Sequence, residues 1–142
     1  MEKVDRYSII VPMPKFESGS EDLFSLRLSK LLNAKANIIK KALNTDTVDY
    51  VIKGGEITFN WLKGDAEPLM IQATMKMVSG IVKLIATGKS VKCKEREIQS
   101  EKYAMRCFLL RLGFIGDEFK IDRKVLMQNL TGSSSFRTEV TP

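Results

Sequence analysis

Residues 48–62, "VDYVIKGGEITFNWL", constrain this chain more than any other stretch. Two runs rich in β-branched and aromatic side chains flank Gly54 and Gly55, and a glycine pair suits a two-residue turn in which both central residues take positive φ. The stretch predicts an antiparallel hairpin. Val48, Tyr50 and Ile52 alternate onto one face, as do Ile57, Phe59 and Trp61, so one side of the ribbon is apolar and has to be covered.

The cover is legible on both sides of the hairpin. "YSIIV" (7–11) is a β-branched run stopped by Pro12 and Pro14, which cannot donate to a ladder, and reads as a short first strand. Ser18 and Glu21 have capping-box spacing, Ser20 is the competing cap, and a helix is expected from about Ser20. Its apolar positions Phe24, Leu28, Leu31, Leu32, Ile38, Ile39, Ala42 and Leu43 recur at three and four, and Asn44 is placed to stop it in a left-handed conformation. After the hairpin, Asp65 is expected to cap a second helix that takes Pro68 into its first turn and runs to about Thr87, ended by Gly88. Its stripe of Met70, Thr74, Met77, Val78, Ile81, Leu84 and Ile85 opposes Gln72, Lys76, Ser79 and Lys83. "KSVKCKEREIQ" (89–99) fits either a strand or an extended connector. Ser100 is expected to cap a third helix to Leu112, apolar all round and so placed in the middle of the fold. Gly113 and Gly116 bracket a turn, and Asp117 is expected to cap a fourth helix to about Leu130, with Phe119, Val125, Leu126 and Leu130 inward.

The chain's 142 residues, 44% of them apolar, suffice for one closed core, so a single domain over residues 1–142 is expected, with a short polar tail from about 132. The fold class is α+β: a small antiparallel sheet, made of the hairpin at 48–62 and the strand at 7–11, covered by about four helices. Cys93 and Cys107 are the only cysteines and there is no histidine, so neither a zinc site nor a Cys-His pair is readable; no metal, cofactor or catalytic residue is expected. Lys76 and Lys83 interrupt the longest apolar helix, which argues against a bilayer span, and the cysteine usage fits a reducing cytoplasm.

The formal charge is +6, and residues 89–137 hold eleven Lys/Arg against six Asp/Glu, so the surplus lies in the last third. Such a surplus fits a nucleic acid, an acidic protein or an anionic membrane face as partner, or serves solubility alone. On the fourth helix Lys120, Arg123 and Lys124 stand at i, i+3 and i+4 and share one side. On the third, Arg106 is the lone charge among apolar neighbours, and Arg111 is about 140° further round the axis. The competing reading pairs these cations with Asp117, Glu118 or Asp122. A helix-turn-helix reading is weak, because Phe119 and Ile121 occupy positions where a recognition helix needs polar side chains. "TGSSSFR" (131–137) comes after a helix instead of preceding one, so Gly132 reads as a terminator and Phe136 as an anchor, not as a phosphate loop. Cys93, flanked by lysines, reads as an inert thiol for want of a base or resolving partner, and Trp61 and Phe59 read as core side chains before base-stacking ones.

The stretch "SEKYAMRCFLLRLGFIGDEFKIDRKVLMQNLTGSSSFR" resembles the carboxy-terminal signature of a family encoded by prophages and mobile elements of Firmicutes, often labelled "virulence-related protein". "NAKANIIKKALNTD", "EITFNWL", with Asn60 where that family has proline, and "KEREIQSEKY" extend the likeness over roughly residues 8–137. Larger members carry a further amino-terminal α/β segment and an acidic linker, and this chain begins where that linker would end. The resemblance implies an accessory protein of a phage or integrated element acting in the cytoplasm of its bacterial host, and it brings no catalytic residues with it.

These readings converge on a non-catalytic binding protein that holds nucleic acid or a host nucleoprotein, including a host-defence complex, with no membrane partner. The expected face comprises Arg106, Arg111, Lys120, Arg123, Lys124 and Arg137, arginines for bidentate contact and lysines as point charges. The alternative is a protein-interaction or self-associating module, a homo-oligomer included, that uses the apolar helix and turn at 103–116 and exposes Phe114 and Ile115.

Overall fold

The computed structural model describes residues 6–15, 20–87 and 100–132. In chain order the elements are β1 (Arg6–Pro12), α1 (Ser20–Leu43), β2 (Val51–Lys53), β3 (Glu56–Lys63), α2 (Pro68–Ala86), α3 (Glu101–Arg111), a single 3-10 turn (Asp117–Phe119) and α4 (Lys120–Met127). The architecture is α+β: a three-stranded antiparallel sheet in the order β1-β3-β2, with four helices.

The hairpin forms at the glycine pair, Gly54 at φ 59° and Gly55 at φ 80°, where a side chain at either position would be strained. Lys53 opposite Glu56, Ile52 opposite Ile57 and Val51 opposite Thr58 set the register. The first arm is shorter than expected, because residues 48–50 leave the ladder. Trp61 Nε1 donates to the carbonyl of Asp49 at 2.7 Å, and the Tyr50 hydroxyl lies 2.7 Å from Ser29 Oγ on α1 while donating to the carbonyl of Ser25. Side chains thus claim the segment before a strand partner can.

β3 carries one extra residue against β1: Tyr7 faces Leu62, but Ile9 faces Phe59. The bulge breaks the alternation of inward and outward positions, so Trp61 and Leu62, sequence neighbours, are both fully buried. Beyond the bulge, Ile57 and Phe59 point to the helices, while Ile10, Thr58 and Val51 form one row across the outer face, where Ile10 and Val51 are exposed. Arg6 anchors the sheet to the end of α1 by bonds to Thr45 Oγ1, the carbonyl of Trp61 and Asp46, the last at 2.6 Å. Asn44, at φ 56°, ends α1 as expected.

α2, not α3, is the central helix. Nine α2 side chains are buried, including Met70, Met77, Val78 and Ile81, and the helix packs against α1, α4 and β1. By length and composition it is also apolar enough to cross a membrane; in this fold half of that stretch is buried inside the protein, as in a core helix. α3 buries only Met105, Phe108 and Leu109, and its Leu110 and Arg106 are exposed. Its residues are apolar all round because they form a surface helix whose outer side keeps apolar character. Gly80 lets α3 reach α2: a Cβ there would stand 3.2 Å from both Cβ and O of Leu112.

Two caps differ from expectation. The residue before α2 is Glu67, which makes no side-chain capping bond, and Pro68 opens the helix; Asp65 lies in the preceding turn. Asp117 begins the 3-10 turn after Gly116, and Phe119 precedes α4, which ends at Met127, three residues short of Leu130. Ser100 does cap α3, accepting from the Tyr103 amide at 3.0 Å.

Candidate functional site

α3 ends in a Schellman arrangement. Gly113, at φ 96°, donates to the carbonyl of Leu110, and Phe114 donates to the carbonyl of Leu109 at 3.0 Å. This geometry drives the Phe114 ring inward, 4.9 Å from the Phe119 ring, so Phe114 is buried and cannot be presented to a partner. Ile115, 64% exposed, is the apolar residue that the turn does present.

Arg123 closes the turn from below. Its Nη1 donates to the carbonyls of Phe114 and Gly116, each at 3.0 Å, so the guanidinium ties the two sides of the turn together, adding to the bond that the Phe119 amide donates to Gly116. Of the six expected face residues, Arg123 therefore has a structural task. Asp122 has another: it is buried and takes a 2.8 Å ion pair from Lys76 of α2, whose ammonium also stands 5.5 Å from the Phe119 ring centroid. That pair pins α4 to α2. The local sequence offered Asp122 to Lys120, Arg123 or Lys124, but the helix turns the carboxylate to the side of Val125 and Leu126 and turns the lysines away from it.

Lys120 and Lys124 are exposed and one helical turn apart on the side of α4 opposite its buried residues. Arg106 and Arg111 are exposed on α3. The helical period sets them about 140° apart, on the two flanks of the buried stripe of Met105, Phe108 and Leu109. Among the described residues none of these four cations has an ion-pair partner. Asp117 and Glu118 are exposed at the start of α4, where the helix dipole favours negative charge, and form no ion pair among the described residues. Arg137, with Cys93 and Phe136, lies outside the described residues.

At the other end of α3, Glu101 holds the chain as it leaves α4. Its Oε1 accepts from the amide and hydroxyl of Thr131, each at 2.9 Å, and its Oε2 accepts from Lys41 of α1 at 3.0 Å. The Lys41 hydrogen bond first, then those from Thr131, lower the carboxyl from its ordinary 4.5 to about 2. The Lys102 amide donates to the carbonyl of Thr131, and Asn129 donates to the carbonyl of Ala42, so the exit from α4 is tied to both α1 and α3. Asp46 is likewise held below the ordinary carboxylate range by its hydrogen bond from Arg6. No sequence pattern marked Glu101, Lys41 or Lys76, because their partners lie 30 to 60 residues away.

Two open grooves exist elsewhere. One, of about 670 Å³, runs between α1 and residues 48–52 and includes Ser25, Ser29, Asn33 and Tyr50. The other, of about 430 Å³, lies between α1 and the start of α3 and includes Asn37, Ser100 and Thr131. Neither is lined by Arg106, Arg111, Lys120, Arg123 or Lys124. Comparison of the chain with protein-family models, with curated proteins and with solved structures finds no match.

Proposed function

We propose that this chain is a non-catalytic binding protein that holds a polyanionic partner, nucleic acid or nucleoprotein, on the outer side of α3 and α4. Lys120 and Lys124 of α4 and Arg106 and Arg111 of α3 are its cations. The observation that carries the reading is the different fate of the two signs of charge. Asp122 and Glu101 are engaged by Lys76 and Lys41 from other helices, whereas Lys120, Lys124, Arg106 and Arg111 are left facing water without a partner among the described residues. An unneutralised set of cations on a rigid scaffold is what condensed anions displace their counterions to reach. The setting that goes with this reading, an accessory protein of a phage or mobile element in a bacterial cytoplasm, rests on the sequence resemblance over roughly residues 8–137 alone.

The test is Lys120→Gln with Lys124→Gln, read by affinity for heparin and for DNA across a salt series. Both side chains are exposed, so the melting temperature should hold while affinity falls and the log-log salt slope loses about two units. Unaltered affinity would discard the face. Arg123→Gln serves as the contrast: the Phe114 carbonyl loses the Arg123 donor and the Gly116 carbonyl keeps only the Phe119 amide, stability drops by about 1–2 kcal/mol, and the salt slope stays where it was.

A second reading has its own observation. Leu110, Ile115 and Ile121 are 39, 64 and 58% exposed along the same α3–α4 stretch, which favours a protein contact or self-association through aliphatic side chains. It separates from the first by salt, because an apolar contact holds or tightens as salt rises.

A further inference from the structure

We infer that the nucleic acid accepted by this face is a double helix, gripped through its phosphates without sequence preference, and not a single strand. The inference rests on the polyanion reading above and sharpens it from three features of the fold.

The first is where the aromatic rings are. Proteins that hold single strands lay bases on open aromatic faces, and much of their affinity comes from that stacking. Here the rings of the described residues are used inside. Trp61 and Phe59 are fully buried and packed edge to face with centroids 5.2 Å apart, and the indole nitrogen is engaged by Asp49. Tyr50 is tied to Ser25 and Ser29, Phe114 and Phe119 stack on each other with Lys76 against the pair, and Phe108 lies beneath Lys35 at 5.5 Å. Among the described residues every ring is buried or half-buried.

The second is the chemistry left over for reading bases. Discrimination in a groove needs a free guanidinium or amide that makes two parallel hydrogen bonds to a base edge. On α4 the guanidinium of Arg123 is committed to two backbone carbonyls, and next to the helix the amide of Asn129 is committed to Ala42. What projects outward from α4 is Lys120, Ile121 and Lys124, two point charges and an aliphatic side chain; the exposed groups able to read a base edge, Gln128 at the helix end and Arg106 and Arg111 about 140° apart on α3, do not form the row of three or four readers along one helix that a groove needs. Lysines meet phosphates well and specify nothing.

The third is charge density. A duplex presents one phosphate per ~1.7 Å of axis, twice the linear density of one strand, so point charges fixed on a helix find more counter-charge along it. With four neutralised phosphates the expected log-log salt slopes are about −3.6 for duplex and −2.8 for single strand, a preference of about sixfold at about 0.1 M salt.

The experiment measures fluorescence anisotropy of the whole chain with a short labelled duplex, a second duplex of shuffled sequence, and oligothymidine of the same length, over a salt series. The two duplexes should bind alike, both tighter than oligothymidine by about sixfold near 0.1 M salt. Lys120→Gln with Lys124→Gln should flatten the duplex slope by about two units, and Lys53→Gln, on the hairpin turn, should leave it alone. Single strand bound as tightly as duplex, or one duplex strongly preferred over its shuffled counterpart, overturns this inference and leaves the polyanion reading standing. Binding to none of the three overturns both.

Discussion

The pin between α2 and α4 gives the sharpest test of how this C-terminal layer is held. The Asp122 carboxylate is 7% exposed and the Lys76 side chain 46%, so the two ends of a 2.8 Å pair live in different media. Removing one end or the other should therefore cost different amounts. Asp122→Asn keeps the size, discharges the buried end and lets the ammonium return to water. A charge-assisted hydrogen bond discounted for its wet partner sets the cost at about 1–2 kcal/mol. Lys76→Met leaves a carboxylate inside without its counter-charge and should cost about 3 kcal/mol, the low end for a broken buried pair because Asp122 sits under one layer of side chains. The same change also loses the cation from the Phe119 face, worth about 0.5 kcal/mol at a site this open. The double variant should be more stable than Lys76→Met alone, since discharging Asp122 removes the penalty that the first change created. Urea unfolding near neutral pH measures all three. In a chain of this size about 1 kcal/mol moves Tm by roughly 3–5 °C, so the two single variants should differ by about 5 °C. If Lys76→Met costs no more than Asp122→Asn, or if adding Asp122→Asn to it lowers stability further, the asymmetry argument is wrong and the pair is a surface contact of little consequence.

Packing and titration give two more expected outcomes. Gly80→Ala gains about 1 kcal/mol of helix propensity but drives a methyl to 3.2 Å from Leu112, and the overpacking should prevail by about 1 kcal/mol, seen as a lower urea midpoint; a stabilised variant would show that α3 can retreat. Glu101 has a folded value of about 2 against an ordinary 4.5, so its contribution is fully present above pH 4.5 and is lost as pH falls through the window down to about 2. Glu101→Gln should therefore flatten the acid side of the stability profile in that window and leave the slope between neutral pH and pH 5 as it was, measured by thermal melts across pH.

The hairpin, the Asn44 stop, the Ser100 cap and the apolar stripes of α1 and α2 could be read from the sequence because each is decided within a few residues. What could not be read was decided at long range. The β3 bulge depends on how β1 lies against it, and it alone explains why Trp61 and Leu62 are both inside. The short β2 reflects Trp61 and Ser29 capturing residues 49 and 50 from outside the strand. Hydrophobic content misplaced α3, since apolar residues all round a helix fit a central position and a surface position with an apolar outer side equally well; it packs against α4 and α1, and Leu112 at its end closes on Gly80 of α2. At the site, the period of α4 correctly set Lys120 beside Lys124. It had no means of showing that Arg123 would bend back to the turn that Gly113 and Gly116 create.

The pairing pattern bears on charge as well as on packing. Residues 100–132 hold six Lys/Arg and four Asp/Glu, a local surplus too small to suggest a strongly basic surface. Two of those four acids, however, are met by cations from outside the segment, Glu101 by Lys41 and Asp122 by Lys76. Each such pair neutralises a carboxylate of the C-terminal layer with charge imported from α1 or α2, and it leaves the layer's own lysines and arginines unopposed. Net charge over the molecule is unchanged by this exchange, but its distribution is not: the imported ammonium groups stand against carboxylates and the native ones stand unpaired. Unpaired charges dominate the local potential, so the field over this layer is set by Lys120, Lys124, Arg106 and Arg111, with Asp117 and Glu118 as the local opposition. A linear charge count cannot register this, because it assigns each carboxylate to its sequence neighbours and not to the helix that reaches it.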